Sequence, residues 1–287
     1  MSILSIIIPH HNTPDLLKRC LDSIPTDKGI QVIAVDDNSD PSKVEFENFP
    51  GKERSDVEIY LTKEGRGAGY ARNVGLQHAN GDWLLFADSD DFFVLGFYDI
   101  VNRFFDTDSD MVLFKAQSVD SDTLESSNRN ENINNRIDEC LRGSITAKEA
   151  SIRVQSPWCR LIRRNFVERN KIKFDEVMAC NDAMFCTKAT CLAAYVEVCP
   201  EPIYVVTYRQ GSLWNSRKNN PGNYLIRLEV QIRRNKYVRP YGFKQLPIMG
   251  YVIKSLDINF ATFVKALWIA VSKGALFQGI SHYVRKK

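Results

Sequence analysis

No run in this sequence approaches the ~18 apolar residues that a membrane-crossing helix requires. Its start, MSILSIIIPHHN, has no basic segment ahead of the apolar stretch, and Pro9 stops that stretch short. The expectation is a buried strand and not an export signal. Histidine is scarce, with four in 287 residues, and no pair stands at metal-ligand spacing. Cysteines 20, 140, 159, 180, 186, 191 and 199 are odd in number and contain no CxxC pair. They read as reduced thiols, which excludes a zinc ribbon, a dithiol redox centre and a disulfide framework. Internal repeats are absent. What remains is an ordinary globular composition, 44% hydrophobic and 25% charged, with length for one or two domains.

The net charge of +3 conceals a split. From Gly211 to Lys287 there are 14 Lys/Arg against 2 acids, while the residues before carry 24 against 33. The two parts face different electrostatic partners.

The first 115 residues alternate between short apolar runs and helical patterns. Ile3–Ile8, Gln31–Val35, Val57–Leu61, Trp83–Phe86 and Met111–Lys115 read as strands. Thr13 to Ile24, with Pro14 at the first helical position, reads as a helix, as do Ser42–Phe49, Ala68–Ala79 and Gly96–Phe105. Continuous apolar strands separated by helices predict an α/β fold with a mainly parallel sheet covered on both faces. Val119–Arg136 is polar and reads as a mobile insertion. Helical pieces follow near Ala147–Val154, Arg160–Arg169 and Asp182–Ala194, with a strand at Ile203–Thr207 and a helical tail from about Pro221.

Ligands of such sheets sit beyond the carboxyl ends of the strands. Three of those ends are chemically loaded: Pro9-His10-His11-Asn12, Asp36-Asp37-Asn38-Ser39-Asp40 and Asp88-Ser89-Asp90-Asp91. Asp88 and Asp90 lie two apart, on one side of an extended chain, as a hard-oxygen set suited to Mg2+ or Mn2+. Asp36-Asp37 can accept hydrogen bonds from a base or ribose, or simply form an Asx turn. GRGAGYARNVG is no dinucleotide fingerprint, because Tyr70 stands where GxGxxG requires glycine. It reads as a flexible loop entering a helix that carries Arg72, a suitable partner for phosphate.

The ordered set SIIIPHHN, VDDNS, GYARNVGL, GDWLLFADSDD, PWCRLIRRNF with KIKFDE, NDAMF and YRQGS resembles family 2 of the inverting glycosyltransferases, of the bacterial surface-polysaccharide type, over roughly residues 2–216. The resemblance implies the GT-A fold, a Rossmann-like nucleotide-diphospho-sugar transferase architecture with a C-terminal helical extension. Residues 1–115 would form the nucleotide-sugar half, 116–216 the acceptor and catalytic-base half, and 217–287 the extension. Pro9, His11, Asn12 and Asp37 would line the donor base and ribose, with Arg72 beside the nucleotide. Asp88, Ser89 and Asp90 would form the DxD element, Asp90 being the direct ligand of Mn2+ or Mg2+ and Asp88 assisting. Asp182 would be the catalytic base. Asn181, Trp158, Arg209 and Ser212 would stand at the acceptor side or the mouth of the site. His11 replaces an aromatic usual in the family, Asn181 replaces an acid, and Arg160 replaces a lysine. From spacing alone, Asp182 reads first as a favourable first-turn helix charge, and Trp158 is equally a core aromatic.

The implied reaction moves a sugar from a nucleotide-sugar donor, UDP being the commonest base, to a saccharide or lipid-linked saccharide acceptor with inversion, in capsule, O-antigen or exopolysaccharide synthesis in the cytoplasm. A non-catalytic nucleotide-sugar-binding protein and a nucleotidylyltransferase are the rival readings. For the basic tail three readings compete: a helical cap on the catalytic domain, an amphipathic surface on an anionic membrane leaflet, and nucleic-acid binding, for which no reader module is present.

Overall fold

The computed structural model describes residues 2–26, 28–208 and 220–280. Its strands are β1 (Leu4–His10), β2 (Ile30–Asp37), β3 (Val57–Thr62), β4 (Trp83–Phe86), β5 (Phe92–Phe93), β6 (Met111–Asp120), β7 (Arg160–Arg163) and β8 (Val196–Tyr208). They form one eight-stranded sheet in the order β3-β2-β1-β4-β7-β6-β8-β5. β1, β2, β3 and β4 pair in parallel, as do β6 and β8, while β7 and β5 run antiparallel to their neighbours.

The continuous apolar strands divide between two cores because side chains alternate across a sheet. Ile6, Ile8, Val32 and Leu85 face one core with α1 (Pro14–Asp22), α3 (Phe97–Asn102), α4 (Glu131–Leu141) and α5 (Ala147–Arg153). Ile7, Ile33, Val35, Leu84 and Phe86 face the other, with α2 (Ala68–His78), α6 (Arg164–Arg169) and α7 (Ala183–Leu192). The mixed α/β architecture with flanking helices is the one expected. Gly75 is required where α2 crosses β1: a Cβ there would lie 2.4 Å from Ile7 Cγ2.

Three local readings are corrected. Ser42–Phe49 forms only a 3-10 turn at Phe46–Asn48, since Pro50 follows at once and Phe46 stacks on Phe49 three residues on. Arg160–Arg169 begins as β7 and not as a helix. Leu161 and Ile162 point into opposite cores, which only an extended chain allows. The segment 119–136 is ordered and not a mobile insertion. β6 continues to Asp120, a tight turn follows, and α4 packs through Ile133 and Ile137. The polar residues of this segment bond to the strand. Asn134 accepts from the Ala116 amide at 3.0 Å and donates to its carbonyl at 3.0 Å, beside the register shift in β6.

The C-terminal part forms α8 (Pro221–Val238), α9 (Ile248–Lys254) and α10 (Phe260–Ser272). Val230 of α8 packs against Ala183 and Met184, and the buried Arg234 donates to Thr187 Oγ1 at 3.1 Å. A further cluster, including Leu228, Ile232, Ile248, Val252, Ala266 and Ala270, joins the three helices. No helix of the described residues is long and apolar enough to cross a membrane.

Candidate active site

The loaded ends of β1, β2 and β4 meet at one edge of the sheet, because these strands are parallel neighbours. His10 stands opposite Asp36 in register and is buried. Its Nε2 accepts from the Thr13 amide at 3.1 Å, so Nδ1 carries the proton and donates to Asp36 at 2.7 Å. Burial would raise the Asp36 carboxyl, but hydrogen bonds from His10 and from the Ser39 hydroxyl and amide outweigh it and hold it below the usual carboxylate range. His10 therefore builds the frame, as do the adjacent donor-pocket candidates. Pro9 is buried in β1. Asn12, with φ 59°, accepts from the Asp40 amide at 2.7 Å and ties the two loops. His11 is exposed, its Nδ1 3.0 Å from the Asp37 carbonyl. Asp37 is buried, and its carboxylate accepts from the amides of Arg66 at 3.2 Å and Gly67 at 2.5 Å. The glycine loop is thereby held over the end of β2.

Beyond β4 the chain turns through Asp88, Ser89, Asp90 and Asp91. One carboxylate oxygen from each of the three aspartates lies within 4.8 Å of the others. Asp91, to which the sequence pattern gives no role, is the buried member. Burial first, then the charges of Asp90 and Asp88, push its carboxyl well above the usual range, while Thr207 donates to it from its amide at 2.7 Å and its hydroxyl at 3.1 Å. The set offers only carboxyl oxygens, and a bound cation would offset the repulsion that raises the Asp91 carboxyl. That chemistry fits Mg2+ or Mn2+ and not a soft metal. Ser89 is buried between the acids.

Residues far away in sequence hold this turn. The Asp88 amide donates to the Tyr204 hydroxyl at 2.8 Å. Arg19 donates to the Asp90 carbonyl at 2.7 Å and to the Ser121 carbonyl at 2.9 Å, with its guanidinium over Phe92. Trp158 stacks on Tyr204 at 4.9 Å between centroids and is only 7% exposed. Its ring is thus a core aromatic supporting Tyr204, and little of it is open to an acceptor. Arg19, Tyr204 and Thr207 escaped the sequence reading because their contacts cross between separate elements with no local motif.

Arg72, buried in α2, donates to Asp88 through one guanidinium nitrogen and to Asn181 Oδ1 at 2.9 Å through another. It thus joins the acidic turn to the segment that leads into α7. Asp182 is the N-cap residue of α7 and partly exposed. Its loop is bracketed: Asn73 accepts from the Phe174 amide at 2.9 Å, Arg66 pairs with Glu176, and Arg233 of α8 pairs with Asp175 at 2.6 Å. Gly69 lets the loop come close, since a Cβ there would lie 2.1 Å from the Asp175 carbonyl oxygen. Arg160, fully buried, caps α5 by donating to the Ser151 and Val154 carbonyls. The structure therefore brings Asp37, Arg72, Asp88, Asp90, Asn181 and Asp182 to one side of the molecule. Arg209 and Ser212 lie outside the described residues.

The sequence model of Glycosyl transferase family 2 matches residues 5–170. Among curated proteins, the poly(ribitol-phosphate) beta-glucosyltransferase of Bacillus spizizenii is 26% identical over 237 residues. The match covers 79% of this chain and 36% of that protein, so the chain spans about a third of this relative's length. Among solved structures, residues 1–349 of S. aureus TarS in complex with UDP-GlcNAc superpose with a TM-score of 0.60 at 20% identity, covering 100% of this chain and 76% of that one. The mannosyltransferase PcManGT of Pyrobaculum calidifontis, in complex with GDP-Man and Mn2+, gives 0.58 at 16% identity, covering 94% and 75%. At these identities the structural likeness concerns the fold.

Proposed function

This chain belongs to glycosyl transferase family 2, and from that premise we propose that it transfers a sugar from a nucleoside-diphosphate sugar, UDP-linked, to a hydroxyl of a saccharide or lipid-linked saccharide, with inversion, in bacterial surface-polysaccharide synthesis. The observation that carries this reading is the pair of contacts made by Arg72. One side chain joins the acidic turn Asp88–Asp91, suited to a metal–diphosphate, to Asn181 beside Asp182, suited to an acceptor hydroxyl.

Asp90 and Asp88 would hold Mn2+ or Mg2+, with Asp91 behind them. Such a cation, when bound, offsets the charge that gathers on the departing nucleoside diphosphate. Arg72 supplies a second positive charge at the same place. Asp37, His11, Asn12 and Pro9 flank the crevice for the base and ribose. Asp182 takes the proton of the acceptor hydroxyl. The acceptor oxygen bonds to the anomeric carbon as the bond from that carbon to the diphosphate oxygen breaks on the opposite face, and the configuration inverts. In this scheme residues 1–115 serve the donor, 116–216 the acceptor and base, and 217–287 extend the domain. The B. spizizenii relative, by its name, glucosylates poly(ribitol-phosphate), which supports a surface glycan as acceptor.

Purified protein screened against a panel of nucleotide sugars with Mn2+, read as released nucleoside diphosphate and transferred sugar, tests the proposal. Turnover of one donor dependent on Asp182 supports it. Tight donor binding without turnover on any glycan acceptor would assign the chain to a scaffold role.

A further inference from the structure

The outer surface of the C-terminal helices exposes several large apolar side chains. Phe260 and Trp268 are each 70% exposed, Val271 57% and Val264 49%. These four recur along α10 at intervals of four, four and three residues, so they form one stripe about 16 Å long. The opposite side of the helix, Thr262, Ala266, Ile269 and Ala270, is buried on α8 and α9. The stripe is therefore surplus to the helical cap: the cap reading accounts for the inner face of α10, and the outer face has no partner among the described residues. Ile253, Leu256 and Phe277 add exposed apolar surface on flanking segments.

The charges around the stripe are predominantly positive. Lys254 and Lys265 are exposed in the same segment. A cleft of about 640 Å3 lined by Lys236, Arg239 and Lys273 opens beside Phe277. Arg285, Lys286 and Lys287 follow in the sequence. Against these the C-terminal part holds two acids, Glu229, paired with Lys273 at 3.3 Å, and Asp257. A second copy of the chain would bring like charges together across an apolar seam, which opposes self-association. An anionic lipid surface complements both features at once. It takes aromatic and aliphatic side chains at the headgroup boundary and attracts the cations beside them, and it demands no matching groove from a convex helix face.

We infer that α10 and its flanking segments dock this protein on an anionic bilayer surface, with Phe260, Val264, Trp268 and Val271 as the inserted face. Because α8 packs on α7 and its Arg233 pairs with Asp175 in the loop before Asp182, the docked helices contact the elements that carry the candidate base. The inference does not depend on the proposed transferase chemistry.

The test is sedimentation of the full chain with phosphatidylcholine vesicles, with and without phosphatidylglycerol. Binding is expected only to the anionic vesicles, weakening as salt is raised. The double variant Phe260→Ser/Trp268→Ser should reduce the partition coefficient by about a thousandfold, since each ring would withdraw on the order of 100 Å2 of apolar surface from water. Both rings project away from the core, so an unchanged circular dichroism spectrum and melting temperature are expected. Lys265→Gln should weaken binding to a smaller degree, about fivefold at low salt, and flatten the salt dependence. Absence of binding to anionic vesicles, equal binding by the double variant, or equal binding to neutral vesicles would overturn the inference. So would a dimer detected by light scattering that the double variant abolishes, which would assign the stripe to a second copy.

Discussion

Gly69 offers a way to move the candidate base without touching it. An added Cβ would lie 2.1 Å from the Asp175 carbonyl oxygen and 2.9 Å from Asn181 Cβ. Carbon and oxygen approach to about 3.3 Å at closest, so Gly69→Ala forces the loop 175–181 back by roughly 1.2 Å. The loop closes on itself through the Asp175 amide, which donates to the Asn181 carbonyl at 3.0 Å, and Asn181 precedes Asp182. The shift is therefore transmitted to the carboxylate. Displacement of a reacting group by about 1 Å costs on the order of 100-fold in rate. The cost in stability is smaller, about 1–3 kcal/mol for overpacking, offset by up to about 1 kcal/mol of gained helix propensity. The assay is kcat per folded molecule, with thermal melting as its control. Gly75→Ala, in the same helix, meets Ile7 at 2.4 Å and should lower the melting temperature while sparing kcat by comparison. A Gly69→Ala protein with full kcat, or one whose loss matches its unfolded fraction, would refute the coupling between α2 and the base loop.

Asp182→Asn should lower kcat by roughly 10²–10⁴-fold while donor affinity, measured by calorimetry, changes little. A parallel loss of donor affinity would place Asp182 on the donor side instead. Tyr204→Phe keeps the stack on Trp158 and removes only the acceptor of the Asp88 amide, so it should cost about 1 kcal/mol or more of stability and weaken Mn2+ binding at the acidic turn. Unchanged Mn2+ affinity would show that the tyrosine supports the core alone. Asp36 is held below the usual carboxylate range, so the native state binds fewer protons than the unfolded chain near its unfolded pKa of about 3.9. Its contribution is complete above that value and is lost as the pH falls through the native one. Urea midpoints should thus fall more steeply on acidification in the wild type than in Asp36→Asn, and equal slopes would contradict the assignment.

The sheet was legible because Ile6, Ile7 and Ile8, or Leu84, Leu85 and Phe86, each feed alternate cores, and such runs announce a strand buried on both faces. The acidic turn was legible for the same reason: polar side chains directly after a buried strand mark its carboxyl end. The segment 119–136 was not, because Asn130, Asn134 and Arg129 are polar yet bond to the backbone of β6 and β8, and composition does not distinguish a solvated asparagine from one that completes a strand. Trp158 was open between two roles until its 4.9 Å stack on Tyr204 was known. That contact, like Arg19 on the Asp90 carbonyl, depends on tertiary packing that no spacing rule encodes.

Calorimetric titration of UDP, with Mn2+ and with a chelator, into wild type and Asp90→Ala decides whether the acidic turn grips the donor through a cation. Tight binding is expected only for the wild type with Mn2+, with loss of that binding in the variant. Equal binding of UDP in all four experiments would contradict the claim that the turn after β4 holds the cation through which the donor diphosphate is gripped.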